Sequence, residues 1–474
     1  MLRLPPANPA RPDETFSLAL LVDLARLLPA GDPAVPAVQV VISEGEAREI
    51  GPLRARGFGI ELGDGEVRLP GALLDTVLAV GGAAVEQGIA ETDRYGRVPS
   101  ARNPLVVSGL EGEPVMAEAA AALRSAVVRA AGRRPVALVA PWPEGRRWAV
   151  AVTHDLDVVD RWPGFTLLRL AELVRRGHLG GAGRVVGAAL GALGRDPVWA
   201  GVQRVLAVER RLGITSTWFV LCGDPTIGTM LAGDLTYDPE GRRASRILRA
   251  IADGGHEIGL HGSFATYTDP QRLAEQRARL ERLTASPVTG VRQHYLRMRP
   301  GGTHSAMTAA GFGYDATYGF PDRQGFRLGV GDIVAGWDQR AQALSGLDEV
   351  PLVWMDRAAS KYGGVEDPEA WVADALALAD RCRRVEGLWV GLWHPNLTAP
   401  LGFPGAEDAF VRLAEQLIAH EPHVGPLREL TAWRRARRAA RAMGILPDGC
   451  IVIDAAPGIS LESPDGRPLP AARG

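Results

Sequence analysis

Through the middle of the chain, short apolar runs alternate with longer amphipathic stretches in a regular rhythm. Residues 148–153 (WAVAVT), 217–221 (TWFVL), 257–260 (EIGL), 288–293 (VTGVRQ), 350–355 (VPLVWM) and 388–393 (LWVGLW) read as strands. Helix signals fall between them. Asp269-Pro270 opens a helix to about residue 283, and Asp367-Pro368 opens one to about residue 383. In each, Asp takes the N-cap and Pro the first helical position, where its missing N–H costs nothing. Gly254-Gly255 stops a helix that ends at Ala252. Alternation of this kind predicts parallel strands in an open sheet or barrel.

The flanking regions have other patterns. Toward the N-terminus, residues 16–28 read as a helix, 38–42 as a strand, and 71–87 and 114–131 as helices. They predict a small α/β domain, whose polar residues form no cluster with an evident task. Past residue 426, TAWRRARRAARAMG carries Arg434, Arg435, Arg437, Arg438 and Arg441 around a helix. It reads as a solvated basic face, with binding to an anionic surface as the alternative. CIVIDAAPGISLESPDGRPLP then offers two short strands and a Pro-Asp-Gly turn. The expected organisation is an N-terminal α/β domain over 1–145, a barrel over 146–425, and a basic helix with a β tail over 426–474.

Composition narrows the class. The 474 residues are 46% hydrophobic and 23% charged, with a net charge of −2. That is globular, and it supplies no basic field for nucleic acid. Arginine carries nearly all the positive charge; Lys361 is the one lysine. Cys222, Cys382 and Cys450 cannot all pair and lack zinc-ribbon spacing, so they read as reduced thiols. The N-terminus shows no signal-peptide pattern. The most apolar stretch, 73–89, contains Asp75 and Glu86 and is too short to span a bilayer. A cytoplasmic enzyme without a transmembrane segment is expected.

The candidate chemistry lies at strand ends, where barrels of this type gather it. The first strand runs into His154-Asp155-Leu156-Asp157, and the third ends in His261-Gly262-Ser263. The fourth carries Arg292-Gln293-His294-Tyr295, and the last ends in Trp393-His394-Pro395. Four of the nine histidines fall in these segments. Side chains alternate along a strand, so Asp155 and Asp157 share a face and His154 points away. Two carboxylates on one inward face repel, and a divalent cation between them relieves this. Without one, they cap the next helix or pair with arginine. His256, at a strand entrance, reads as structural. His294 either packs on Tyr295 or serves as a ligand, and His394 suits a loop-edge acid. Neither a Gly-x-Ser-x-Gly elbow nor a phosphate-binding glycine pattern is present.

Together these segments resemble the polysaccharide deacetylases (carbohydrate esterase family 4, the chitin and peptidoglycan deacetylase superfamily). THDLD at 153–157 resembles their first motif, Thr-Phe-Asp-Asp-Gly. GITSTWFVL at 213–221 and GGHEIGLH at 254–261 resemble their second and third strands. Arg292-Gln293-His294-Tyr295 falls where they have Arg-x-Pro-Tyr, and LWHP at 392–395 resembles their Leu-His-Pro. YDATYGFPDRQGFRLG at 314–329 and EVPLVWMD at 349–356 are similar to a branch with an extra N-terminal domain. The resemblance implies an irregular (β/α)-barrel with fewer than eight complete units. It implies Asp155 as catalytic base, Arg292 as the group orienting it, His394 as general acid, and the Tyr295 backbone N–H as oxyanion donor. His261 matches the first metal histidine.

Two positions depart from the pattern. Leu156 stands where the family has its metal aspartate, and Ala265 where it has its second metal histidine. The expected replacement set is Asp157, His261 and His294, one Asp and two His, which suits zinc, with cobalt or manganese as alternatives. The implied activity is metal-dependent removal of an acetyl group from an N-acetylated sugar of a polysaccharide or its precursor. Two other readings fit the same residues: an amidase acting on another non-peptide C–N bond, with or without a metal, and a non-catalytic glycan-binding relative.

Overall fold

The structure, a computed structural model, describes residues 1–44, 58–159, 163–192, 194–231, 234 and 237–473. The N-terminal region forms strands β1 (Leu2–Arg3), β2 (Val38–Ser43), β3 (Glu61–Gly63) and β4 (Glu66–Pro70), ordered β1-β2-β4-β3. Helices α1 (Pro12–Leu24), α2 (Gly71–Val80) and α3 (Val115–Ala131) pack with this sheet. Two helix expectations shift. α1 starts earlier, with Pro12 in its first turn, and the chain leaves it at Arg26, which has a φ of 60°. The 71–87 segment is broken after Val80, because Gly81-Gly82 lack helix preference and Ala83 takes a φ of 53°.

Strand β5 (Leu138–Val139) leads into the central sheet: β6 (Ala149–Leu156), β7 (Thr217–Leu221), β8 (Glu257–Gly262), β9 (Gly290–Gln293), β10 (Tyr314–Asp315), β11 (Val334–Asp338), β12 (Ala343–Glu349), β13 (Trp354–Met355) and β14 (Leu388–Leu392). Their order is β11-β12-β10-β9-β8-β7-β6-β14-β13. All neighbours are parallel except β11 with β12. β15 (His423–Val424) pairs with the entrance of β6. This is an α/β fold, an irregular (β/α)-barrel that stays open, since β11 and β13 do not pair among the described residues. Of the expected 350–355 strand, only Trp354–Met355 forms. β12 ends at Glu349, Pro351 can donate no ladder bond, and pairing with β14 begins only at Trp354.

Burial on both faces makes these strands continuous apolar runs. Every residue of β6 is buried. Its outward side packs under helix α4 (Pro197–Leu212), where His154 contacts Glu209 and Trp218. Helices α5 (Arg242–Asp253), α6 (Pro270–Thr284), α7 (Pro368–Arg384) and α8 (Ala406–Ile418) continue the outer layer. Asp269 and Asp367 cap α6 and α7, accepting from the backbone N–H of Arg272 and Glu369.

The basic helix α9 (Leu427–Ala439) contradicts the expected solvated face. Arg434 is fully buried and donates to Asp23 at 2.9 Å and Asp332 at 2.8 Å. Arg437 is also buried, and Arg435 and Arg438 pair with Asp348. The charge that looked like surface is matched by acids from α1, from β12 and from the loop at Asp332, all far away in sequence. The tail is folded as well: β16 (Leu461–Glu462) pairs with β5 on one side and β17 (Pro468–Leu469) on the other. Cys222, Cys382 and Cys450 are free, the last only half-buried. No described helix is long and apolar enough to cross a membrane.

Candidate active site

The exits of β6, β8, β9, β13 and β14 are near one another because those strands run parallel in one sheet. Asp155 is the second-last residue of β6, and Asp157 lies just beyond its end. Alternation puts both on the inner side. His261 Nε2 is 3.6 Å from an Asp155 oxygen and 3.3 Å from an Asp157 oxygen. Leu156, between them, faces the apolar core.

Each histidine is held by its other ring nitrogen. His261 Nδ1–H donates to the Arg292 carbonyl at 2.8 Å, leaving Nε2 toward the two aspartates. His294 Nδ1–H donates to Asp234 at 3.0 Å, and its Nε2 lies 3.8 Å from Asp157. Nδ1 bonded to a carbonyl or carboxylate, with Nε2 turned inward, is how proteins present imidazole ligands. One ligand atom from each of Asp157, His261 and His294 lies within 4.8 Å of the others, so the group could hold a metal ion. His294 also stacks on Tyr295, with ring centroids 4.1 Å apart, so its packing and its inward nitrogen coexist.

Asp155 and His394 flank this group. Arg292, fully buried, donates to Asp155 at 2.9 Å and to Thr153 and Ala316. Its guanidinium lies over the Phe219 ring. His394 donates to Asp356 from Nδ1 and from its backbone N–H, both at 2.6 Å, and its Nε2 is 3.6 Å from Asp157. Burial opposes the imidazolium, but Asp356, with Asp157 and Asp155, outweighs it and pushes the pKa of His394 up to about 9. Burial likewise opposes ionisation of Asp157, yet the surrounding histidines hold its carboxyl below the usual range. Tyr295 sits in a left-handed conformation, φ 61°, in the turn that follows β9.

All seven residues singled out in the sequence (Asp155, Asp157, His261, Arg292, His294, Tyr295 and His394) thus belong to one neighbourhood. Asp356 and Asp234 received no role there. Asp356 directly follows a strand-like run, a signal of the same kind as Asp155. Asp234 lies between helices in a loop without pattern. A further contribution comes from the N-terminal region: Tyr95 stacks on Tyr295 with ring centroids 5.1 Å apart, and Arg97 donates to the Tyr295 carbonyl at 2.7 Å.

A second buried group, His304, Asp315 and Glu349, is also compact enough for an ion. There, however, His304 Nδ1 accepts from the Gly301 N–H at 3.3 Å. That places the neutral ring's proton on Nε2, the nitrogen facing the carboxylates. The first group is therefore the better ligand set.

The solved structures that match this chain include polysaccharide deacetylases and an allantoinase. A candidate polysaccharide deacetylase from Mycobacterium smegmatis is 22% identical, with a TM-score of 0.42, covering 63% of this chain and 93% of its own. The Puue allantoinase is 17% identical, with a TM-score of 0.40, covering 64% of this chain and 94% of its own. BA3943 from Bacillus anthracis, a carbohydrate esterase family 4 pseudoenzyme, is 11% identical, with a TM-score of 0.28, covering 60% of this chain and 64% of its own. No protein-family model and no curated protein matches the chain.

Proposed function

We propose that the protein is a metal-dependent hydrolase that removes an acetyl group from an N-acetylated sugar of a polysaccharide or its precursor. The observation that carries this reading is the convergence of three inward ligand atoms, on Asp157, His261 and His294, between an Asp155–Arg292 pair and a His394–Asp356 pair. A divalent cation held there, zinc by preference, would lower the pKa of a bound water and polarise the acyl oxygen.

The chain's own groups supply the rest. Asp155, kept in orientation by Arg292, takes the proton of the attacking water. His394, kept protonated by Asp356, gives a proton to the departing nitrogen, which leaves poorly as an anion. The left-handed turn at Tyr295 offers its N–H to the developing oxyanion. The resemblance of the motifs at 153–157, 254–261 and 392–395 to those of polysaccharide deacetylases supports an N-acetylated sugar as substrate.

The test is acetate release from N-acetylated oligosaccharides by protein loaded with zinc, cobalt or manganese, before and after chelation. Release that chelation abolishes supports the reading. Hydrolysis of a small cyclic amide with no release from any glycan would move the activity to another C–N bond.

A further inference from the structure

Of the 53 lysines and arginines in this chain, one is a lysine, and it stands at the rim of the site. Lys361 belongs to a π-helical turn, Ala358–Tyr362, that starts two residues after Asp356. Such turns are rare and recur at functional sites. This one holds the ammonium 5.8 Å from the Tyr295 ring centroid and 5.5 Å from that of Tyr362.

No described carboxylate pairs with the Lys361 ammonium. The acids nearby are committed elsewhere: Glu172 and Glu366 to Arg169 and Arg176, and Asp93 to Arg97. Burial is the largest influence and disfavours the charge; Tyr95 and Glu172 favour it, while the nearby Arg357 and Arg94 repel it. A half-buried cation at a site mouth, without an internal counter-ion, is poised for an external anion. A lysine also differs in kind from the arginines around it. It is a compact point charge with three rotatable donors, so it can meet an anion without the planar fork geometry of a guanidinium.

We propose that Lys361 determines substrate specificity by receiving an anionic group, a carboxylate or a phosphate, carried by the substrate glycan. The inference rests on the glycan-hydrolase reading of the adjacent site. Tyr95, Tyr295 and the partly exposed Tyr362 lie on the same rim, Tyr295 with its ring stacked between His294 and Tyr95.

Three probes separate the sources of charge: neutral N,N′-diacetylchitobiose, a disaccharide of N-acetylglucosamine and glucuronate, and N-acetylglucosamine 6-phosphate. Binding is measured by calorimetry on the His394→Ala protein, and acetate release on the wild type. The expected result is binding of one charged probe tighter than the neutral one by on the order of tenfold, what a single charge-assisted hydrogen bond supplies. This preference shrinks as salt is raised, disappears in Lys361→Met and is partly kept in Lys361→Arg. Equal binding of all three probes, an unchanged preference in Lys361→Met, or no binding of either anion would overturn the proposal. A charge preference in binding with no acetate release from any probe would sink the deacetylase reading and leave the anion site standing. Acetate release without charge preference would do the reverse.

Discussion

At the scale of the residue, the site depends on pairs in which one member fixes the other. Asp356 grips His394 through ring and backbone at once, so orientation and protonation are set together. Asp356→Asn removes the charge that favours the imidazolium. We expect the alkaline limb of kcat to move to lower pH, since a His394 with lowered pKa loses its acid form earlier as pH rises. A profile that keeps its alkaline limb would show that His394 is not the titrating acid. His394→Ala should lower kcat by about a hundredfold or more with a much smaller rise in KM, as befits a group needed to expel the leaving nitrogen. Equal steady-state parameters in variant and wild type would remove it from the chemistry.

At the scale of the element, caps and alternation made much of the barrel legible. Asp269-Pro270 and Asp367-Pro368 start helices where their chemistry says they should, and Asp367→Ala should cost about 1 kcal/mol in a denaturation experiment. Period-two alternation put Asp155 and Asp157 on one face and His154 on the other, as the contacts show. Other features were hidden because they depend on distant partners. The split of 71–87, by contrast, is local: Gly81-Gly82 is the same kind of stop as Gly254-Gly255, and Ala83 turns left-handed after it. Asp234 is recruited by His294 from a loop with no periodic signal. The arginines of α9 looked solvated because Asp23 and Asp332 are more than a hundred residues away from them in sequence.

At the scale of the whole molecule, the flanking regions are joined to the barrel. Phe16 of α1 packs on Trp337 of β11, Glu86 forms a buried ion pair with Arg327, and Arg434 ties α1 to α9. Removing Arg434 leaves buried carboxylates short of a partner, so Arg434→Ala should destabilise the fold by about 3 kcal/mol or more. Burial opposes the charge on Asp23, but Arg434, Arg437 and Arg438 hold its carboxyl below the ordinary range. Its stabilisation is therefore present above the usual carboxylate pKa and lost as pH falls through the folded value. Tyr95 carries the N-terminal region to the rim, where it stacks on Tyr295. The account as a whole turns on whether Asp157, His261 and His294 hold a metal. The direct measurement is elemental analysis of purified wild type, His261→Ala and His304→Ala after exposure to zinc. About one ion per chain in wild type and His304→Ala, and none in His261→Ala, is the predicted result. A wild type that takes up no ion, or a His261→Ala protein that keeps it, would contradict the account.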